Sequence, residues 1–397
     1  MTDDGTNRKM GGKPDAETGR IVLVDPRSLL AHDFGPHHPF KIFRLGLTYE
    51  LISAYGLADL PEVRVLAPRE ASEAEAICFH EEGYLEALRL CDSGMWTYEA
   101  LRHGLGTGDN PTFPGIYDWA MSVAGASIDC AAEIADGRAD RAFNMTGGLH
   151  HAMPDRASGF CHVNDAVLAI HRLLDAGKRV AYVDLDAHHG DGVERAFYGR
   201  DDVLTVSVHQ SGFTIFPGSG FVEDVGTGAG AGFAVNVPLL PGAGDAAYAL
   251  AMDEVVLPAL EAFAPDVLAT QLGSDAIEGD VVANLQLSLR RFEACVRQFD
   301  RLRLPWLAFG GGGYDVGNVV RAWTMAWAIL VGRMLPDEIP SSWIPRAGAH
   351  GIQVPSLRGP DKPTPTTDHA MESLRASIEQ LRSSIFPILE AEGERHR

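Results

Sequence analysis

Between positions 184 and 192 the chain reads Asp-Leu-Asp-Ala-His-His-Gly-Asp-Gly, a dense run of carboxylates and imidazoles. Asp184, Asp186 and His188 fall on alternate positions and share one side if the chain stays extended. Two carboxylates and an imidazole gathered there would repel without a cation. A divalent metal resolves this, and the N/O donor set suits Zn²⁺ or Fe²⁺. Asp275 closes another apolar run and is a candidate third ligand; a helix cap at a strand–helix junction is the alternative. His150 and His151 can serve as base and acid around an activated water if each has a carboxylate to orient it, a place that Asp184 and Asp191 can fill. One core and one exposed histidine is the plainer reading of that pair. Glycines fill 310–313 without the Lys-Ser/Thr of a phosphate loop, so they permit a close backbone approach to a ligand rather than nucleotide binding. Tyr314 follows them and can present its hydroxyl to a developing oxyanion, or simply pack.

These clusters, with Ser207-Val208-His209 and the later Phe216-Pro217-Gly218, each follow a short apolar run. The runs predict strands at 21–24, 142–145, 179–185, 203–209, 267–272 and 306–309. Helical stretches are predicted at 117–135, 165–176, 246–262 and 285–301. Strands alternating with helices imply an α/β fold whose mostly parallel sheet is covered on both faces, with the site at the C-terminal strand ends. There is no internal repeat and no dinucleotide fingerprint. One domain is expected over 21–335, after a flexible tail over 1–20. Prolines from Pro336 to Pro365 then mark an irregular strap over 336–397, with a last helix at 369–385 ending before Pro387.

Other residues point away from further chemistry. The five cysteines form no Cys-x-x-Cys pair, and Cys161 is expected to pack. No Gly-x-Ser-x-Gly elbow is present. His80, His103, His171, His369 and His396 lack metal-like spacing, and Trp323 and Trp327 are spaced for helix packing. With 33 Lys+Arg against 54 Asp+Glu, the net charge of −21 disfavours nucleic acid and anionic membrane as partners. No signal-type segment or membrane span is evident, so a cytoplasmic protein is expected.

Five motifs, HHAMPDRASGFCHVNDAVLAI, YVDLDAHHGDGVERAFY, VSVHQSGFTIFPGSG, QLGSDAIEGD and LAFGGGGYDVGNVVRAW, resemble those of the zinc-dependent histone deacetylase superfamily, closest to bacterial acetoin-utilisation deacetylases. HPFKIFRL near Arg44 and GLGTGDNPTFPGIYDWA around Asp109 fit as well. The resemblance spans roughly 35–323. It implies an arginase/deacetylase-like single domain with about eight strands. It implies zinc on Asp186, His188 and Asp275, with His150 and His151 backed by Asp184 and Asp191, His151 acting as base and acid, and Tyr314 polarising the amide carbonyl. Gly159, Phe160, Phe216, Val282 and Gly312 match the acyl-lysine tunnel, Asp109 a rim residue that binds substrate backbone, and Arg44 an arginine near an acetate exit. A potassium site is implied at Asp184, Asp186, His188, Ser207 and Val208, and a second around Phe197, Arg200, Val203 and Phe233.

The implied activity is removal of acetyl, or longer acyl, groups from lysine Nε in proteins. A deacetylase of cationic small molecules such as acetylpolyamines uses the same residues; a non-catalytic acyl-lysine module is the competitor from another class. Two-metal arginase-like chemistry is disfavoured by Gly273 and Ile277, where a second carboxylate is needed. Departures from the family pattern are Val281-Val282 where Pro then Leu or Met is common, Ser274, Glu278, His162 for tyrosine, and Phe233 for tyrosine. The smaller Val282 implies a tunnel wide enough for longer acyl chains.

Overall fold

The computed structural model describes residues 20–396. The tail expected over 1–20 lies outside the described residues, apart from Arg20. Among the described residues, eight strands form one sheet: β1 (Ile21–Val24), β2 (Val63–Leu66), β3 (Arg141–Asn144), β4 (Val180–Asp184), β5 (Val203–Gln210), β6 (Ala234–Leu239), β7 (Val267–Gln271) and β8 (Trp306–Phe309). Their order is β2-β1-β3-β8-β7-β4-β5-β6, and every pairing is parallel. Side-chain alternation feeds two apolar cores. Ala181 and Val183 of β4 join one, while Val180 and Tyr182 join the other. That burial on both faces explains why the inner strands read as continuous apolar runs.

The two strands that the apolar runs did not predict are the sheet's edges. β2 is four residues, only partly buried. β6 contains Asn236 and Pro238; an edge strand tolerates proline because one row of its N–H groups needs no ladder partner.

Three predicted helices differ in their bounds. The stretch predicted at 246–262 is helix Asp245–Ala251, a π-helical turn Met252–Val256, then helix Leu257–Phe263. Pro258 cannot donate to the preceding turn, and the wider turn absorbs the missing bond. The helix predicted from 285 begins at Leu289, where Ser288 Oγ caps the Arg291 N–H at 3.0 Å. The helix predicted to be last spans Asp368–Ser384 and is followed by another, Phe386–His396. Pro387 sits in the first turn of that second helix, where no intrahelical donor is required. Trp323 and Trp327 are buried on helix Val316–Leu330, donating to the carbonyls of Leu272 and Leu57.

The proline-rich segment is tied to the sheet-bearing part of the chain at several points. The Trp343 indole donates to Leu47 O at 2.9 Å, and Arg358 Nε to Glu293 at 2.7 Å. Asp245 accepts from Thr364 Oγ1 and from both Ser288 N and Oγ, at 2.8–2.9 Å. Among the described residues, no helix is long and apolar enough to cross a membrane.

Candidate metal centre and active site

The four central strands, β3, β8, β7 and β4, end side by side at Asn144, Phe309, Gln271 and Asp184. The loops after them carry His150-His151, the four glycines with Tyr314, Asp275, and the Asp186–Asp191 run. A parallel sheet concentrates chemistry at this edge.

The run after β4 does not stay extended, which corrects the expectation of a shared strand face. The strand stops at Asp184, and successive side-chain turns carry the chain onward. Asp184 Oδ1 accepts the Asp186 N–H at 3.1 Å, and Asp186 Oδ1 accepts the His188 N–H at 2.9 Å. This folding separates Asp184 from the other two. Asp186 and His188 turn toward Asp275 on the loop after β7, and donor atoms of the three lie within 4.8 Å of one another. His188 Nδ1 is 3.0 Å from Asp186 Oδ1 and 2.9 Å from Asp275 Oδ2. One imidazole proton cannot satisfy both carboxylates. Burial and then the neighbouring Asp186 push the Asp275 carboxyl up to about 7. Burial opposes charge on His188, but hydrogen bonds to Asp186 and Asp275 outweigh it and raise its pKa to about 10. The cluster must hold extra positive charge, as protons or as a cation, and its donors fit a divalent metal of zinc type.

Two histidines stand beside this cluster, ring centroids 4.0 Å apart. His150 Nδ1 lies 2.7 Å from Asp184 Oδ2, and His151 Nδ1 2.7 Å from Asp191 Oδ1. Each Nδ1 is thereby occupied, which leaves Nε2 for chemistry. The environments differ. Burial opposes charge on His150, but Asp184 and Asp186 outweigh it and bring it up to about 9. Burial, then His150, pushes His151 down to about 4. His151 is the imidazole that is neutral near pH 7.

A narrow cavity reaches this assembly, lined by His150, His151, Gly159, Phe160, Asp186 and Tyr314 among others. The Phe160 and Tyr314 rings meet edge-on at 5.6 Å, and Phe216 meets His151 at 5.0 Å. Gly312 N donates to Asp186 Oδ2 at 2.8 Å, and a Cβ at Gly312 would overlap the carboxylates of both Asp186 and Asp275. Gly159 has φ +51°, and a Cβ there would run into His151 and Phe216. Burial and the nearby carboxylates hold the Tyr314 phenol protonated, well above its ordinary pKa. Arg44 is buried behind Tyr314, donating to the carbonyls of Gly311 and Gly313 and lying over Phe40. Val282 is half-buried, and Asp109 is exposed. Ser207 is the register partner of Asp184 on β5, next to buried Val208.

Several residues that set this geometry lie inside the five motifs but were given no role by sequence. Gln271 Nε2 donates to Asp186 Oδ2 at 2.7 Å. Asp280 accepts the N–H groups of Val282, Tyr314 and Asp315, and so ties the Val282 loop to the Tyr314 loop. Asp165 accepts the N–H groups of Gly148 and Leu149, and Asn164 donates to the carbonyls of His150 and Ala152. Beyond the motif, a cue lay in position, since Asn164 and Asp165 open a helix. Burial of Cys161 agrees with a packing role.

His80 is a buried brace for the same loop, with Nδ1 3.0 Å from Met153 O and Nε2 accepting the Asn164 N–H at 3.0 Å. Burial pushes both His80 and His162 down to about 4. The unfolded chain then binds more protons below about pH 6.5. Stability is fully present above that value and declines as pH falls toward about 4, by up to about 3 kcal/mol per residue. A His80→Gln variant is expected to show a shallower fall of Tm with acidification than the parent. An unchanged slope would refute the neutral buried imidazole.

Comparison with known proteins bears on this geometry. The histone deacetylase domain family matches residues 38–330. Histone deacetylase 8 of Xenopus tropicalis is 42% identical over 299 residues, 75% of this chain and 80% of the relative. Human histone deacetylase 1 is 36% identical over 338 residues, 85% of this chain and 67% of the relative. Type-1 histone deacetylase 1 of Dictyostelium discoideum is 38% identical over 312 residues; the match spans 78% of this chain and 62% of that protein's length. The crystal structure of an HDAC homolog complexed with SAHA superposes with a TM-score of 0.82 at 29% identity, covering 91% of this chain and all of that one. Carried by a domain match over most of its length and by an all-parallel sheet that delivers the same motifs to one edge, this chain belongs to the histone deacetylase family.

Proposed function

We propose that the chain is a metal-dependent deacylase that hydrolyses the amide of Nε-acyl-lysine in proteins. The observation that carries this reading is the meeting, at the end of one narrow cavity, of a three-donor metal cluster, two carboxylate-backed imidazoles and a protonated phenol. Asp186, His188 and Asp275 would hold the metal, of which zinc suits the donors best. When bound, the metal polarises the amide carbonyl and lowers the pKa of water. His151 Nε2 takes the proton of the attacking water while Asp191 steadies Nδ1. Tyr314 donates its hydroxyl to the oxygen that becomes negative, a role that requires the phenol to stay protonated. His150 keeps its proton against Asp184, and His151 returns one to the leaving lysine amine. Phe160, Gly159 and Phe216 wall the acyl-lysine chain, Asp109 at the mouth takes the substrate main chain, and Arg44 lines the way out for acetate.

Potassium is proposed where β4 meets β5. The carbonyls of Asp186 and His188 receive no hydrogen bond from the described residues, and Ser207 lies across from Asp184. Those oxygens suit a monovalent cation. A second site is proposed at the carbonyls of Phe197, Arg200, Val203 and Phe233.

The test is a panel of acetyl- and longer-acyl-lysine peptides and N-acetylated polyamines, with metal analysis on the same sample. Higher kcat/KM on peptides with one divalent metal bound is the expected result; preference for polyamines would move the reading to a small-molecule deacetylase. Val282→Leu is expected to cost longer acyl chains about tenfold relative to acetyl, because an added methylene narrows the wall. An unaltered acyl preference would remove Val282 from the tunnel.

A further inference from the structure

The exposed Asp109 is followed by a buried Asn110, and the segment between them and Pro111 is gripped from beneath at three consecutive residues. His38 Nε2 lies 3.2 Å from Asp109 O. Asn110 Oδ1 accepts the Phe160 N–H at 2.9 Å, and its Nδ2 donates to Gly104 O at 3.2 Å. His162 Nε2 lies 3.2 Å from Pro111 O. The tautomers are fixed by the surroundings. The Phe40 N–H donates to His38 Nδ1 at 3.1 Å, so the ring proton of His38 must sit on Nε2 and point at Asp109. His162 Nδ1 has no partner among the described residues, so its proton also sits on Nε2, toward Pro111. Phe34 fills the space between the two imidazoles, with centroids 5.1 Å from His38 and 5.9 Å from His162. The His38 ring also meets Phe160 edge-on at 4.6 Å, which ties the rim to the cavity wall.

A fully buried imidazole with one unsatisfied nitrogen costs stability, whereas a phenyl ring there would not. Its compensation is the bond to Pro111, whose own nitrogen can offer no proton to any anchor.

We propose that His38 and His162 are positioning residues that hold Asp109 at the cavity mouth so that its carboxylate meets the main-chain amides of a peptide substrate. The inference rests on the reading of Asp109 as the residue that takes the substrate main chain, and it makes peptides, rather than small acylated amines, the substrates that benefit.

The experiment compares an acetyl-lysine peptide with an acetylated alkylamine that has no main-chain amides. His38→Ala is expected to raise KM for the peptide about tenfold, the loss of one hydrogen bond's worth of order, with kcat little changed. KM for the alkylamine, which shares only the Phe160 wall that the His38 ring supports, should change much less. His38→Gln, whose amide can still donate to Asp109 O, should recover most of the loss. In an Asp109→Ala background, His38→Ala should add nothing. His162→Phe keeps the ring and removes only the bond to Pro111; it should raise peptide KM without lowering Tm. Hydrogen exchange at the Gly106 and Asn110 amides, independent of activity, should quicken in both His38→Ala and His162→Phe. Equal KM changes on both substrates, full additivity with Asp109→Ala, or unchanged exchange would overturn the proposal. A parent protein inactive on acyl-lysine yet with the expected exchange would instead overturn the reading of the site.

Discussion

His151→Ala is expected to lower kcat/KM on an acetyl-lysine peptide by about 10²–10⁴-fold, the range for a positioned proton-transfer group. The imidazole is neutral near pH 7 because it is buried beside His150, and its Nδ1 is fixed on Asp191 at 2.7 Å. No other neutral base lines the same cavity among the residues assigned to it. Tyr314→Phe removes one hydroxyl from the same space and is expected to cost about 10²–10³-fold, mainly in kcat, because the donor matters most to the charge that develops during reaction. Both substitutions should leave metal content and circular dichroism unaltered. Retention of full activity by both would rule out the proposed proton and oxyanion roles.

Asp275→Asn is expected to abolish activity by a different route, through loss of the metal. The substitution preserves shape and keeps an oxygen for the Ala187 N–H, which Asp275 accepts at 2.9 Å. It removes one of two negative charges facing His188. Metal affinity should fall at least about 100-fold, since even groups that merely orient ligands are worth 10–100-fold. A thermal readout separates this from catalysis. Added Zn²⁺ should raise the Tm of the metal-stripped parent, because binding favours the folded state, and should fail to do so for Asp275→Asn. An equal rise in both would place the metal elsewhere.

The parts of the site written in one stretch of chain were legible from sequence. The 184–192 run pointed to a divalent metal, and Asp186 and His188 lie with Asp275 in a cluster that could hold one, while apolar runs placed the four inner strands to within a residue or two. The geometry between stretches was not. Asp186 and His188 converge by side-chain turns after β4 ends, whereas alternation along a strand was the expectation. Asp280 lies inside the motif QLGSDAIEGD with no role given to it by sequence, and its three backbone partners, two of them more than thirty residues away, supply one. Such roles depend on which loops the sheet order makes neighbours, and no local pattern encodes that order. Likewise β6, with asparagine and proline, is a strand only because β5 lies beside it.

The bonds between Thr364 and Asp245 set a limit on how the chain can be shortened. Ending it near 335, where the last strand and the loops of the candidate site are already complete, would leave Asp245, a buried carboxylate, without the Thr364 hydroxyl and N–H. Ser288 still donates to the carboxylate, so the cost is that of the two lost hydrogen bonds, about 0.5–1.5 kcal/mol each. Ser288, which caps helix Leu289–Arg301, shares the same carboxylate. A chain ending there is expected to melt at lower temperature and to aggregate more readily than one ending near 384, with equal melting temperatures as the contrary result. For anyone trimming the protein for expression or crystallisation, the edge of the motifs is therefore the wrong place to cut.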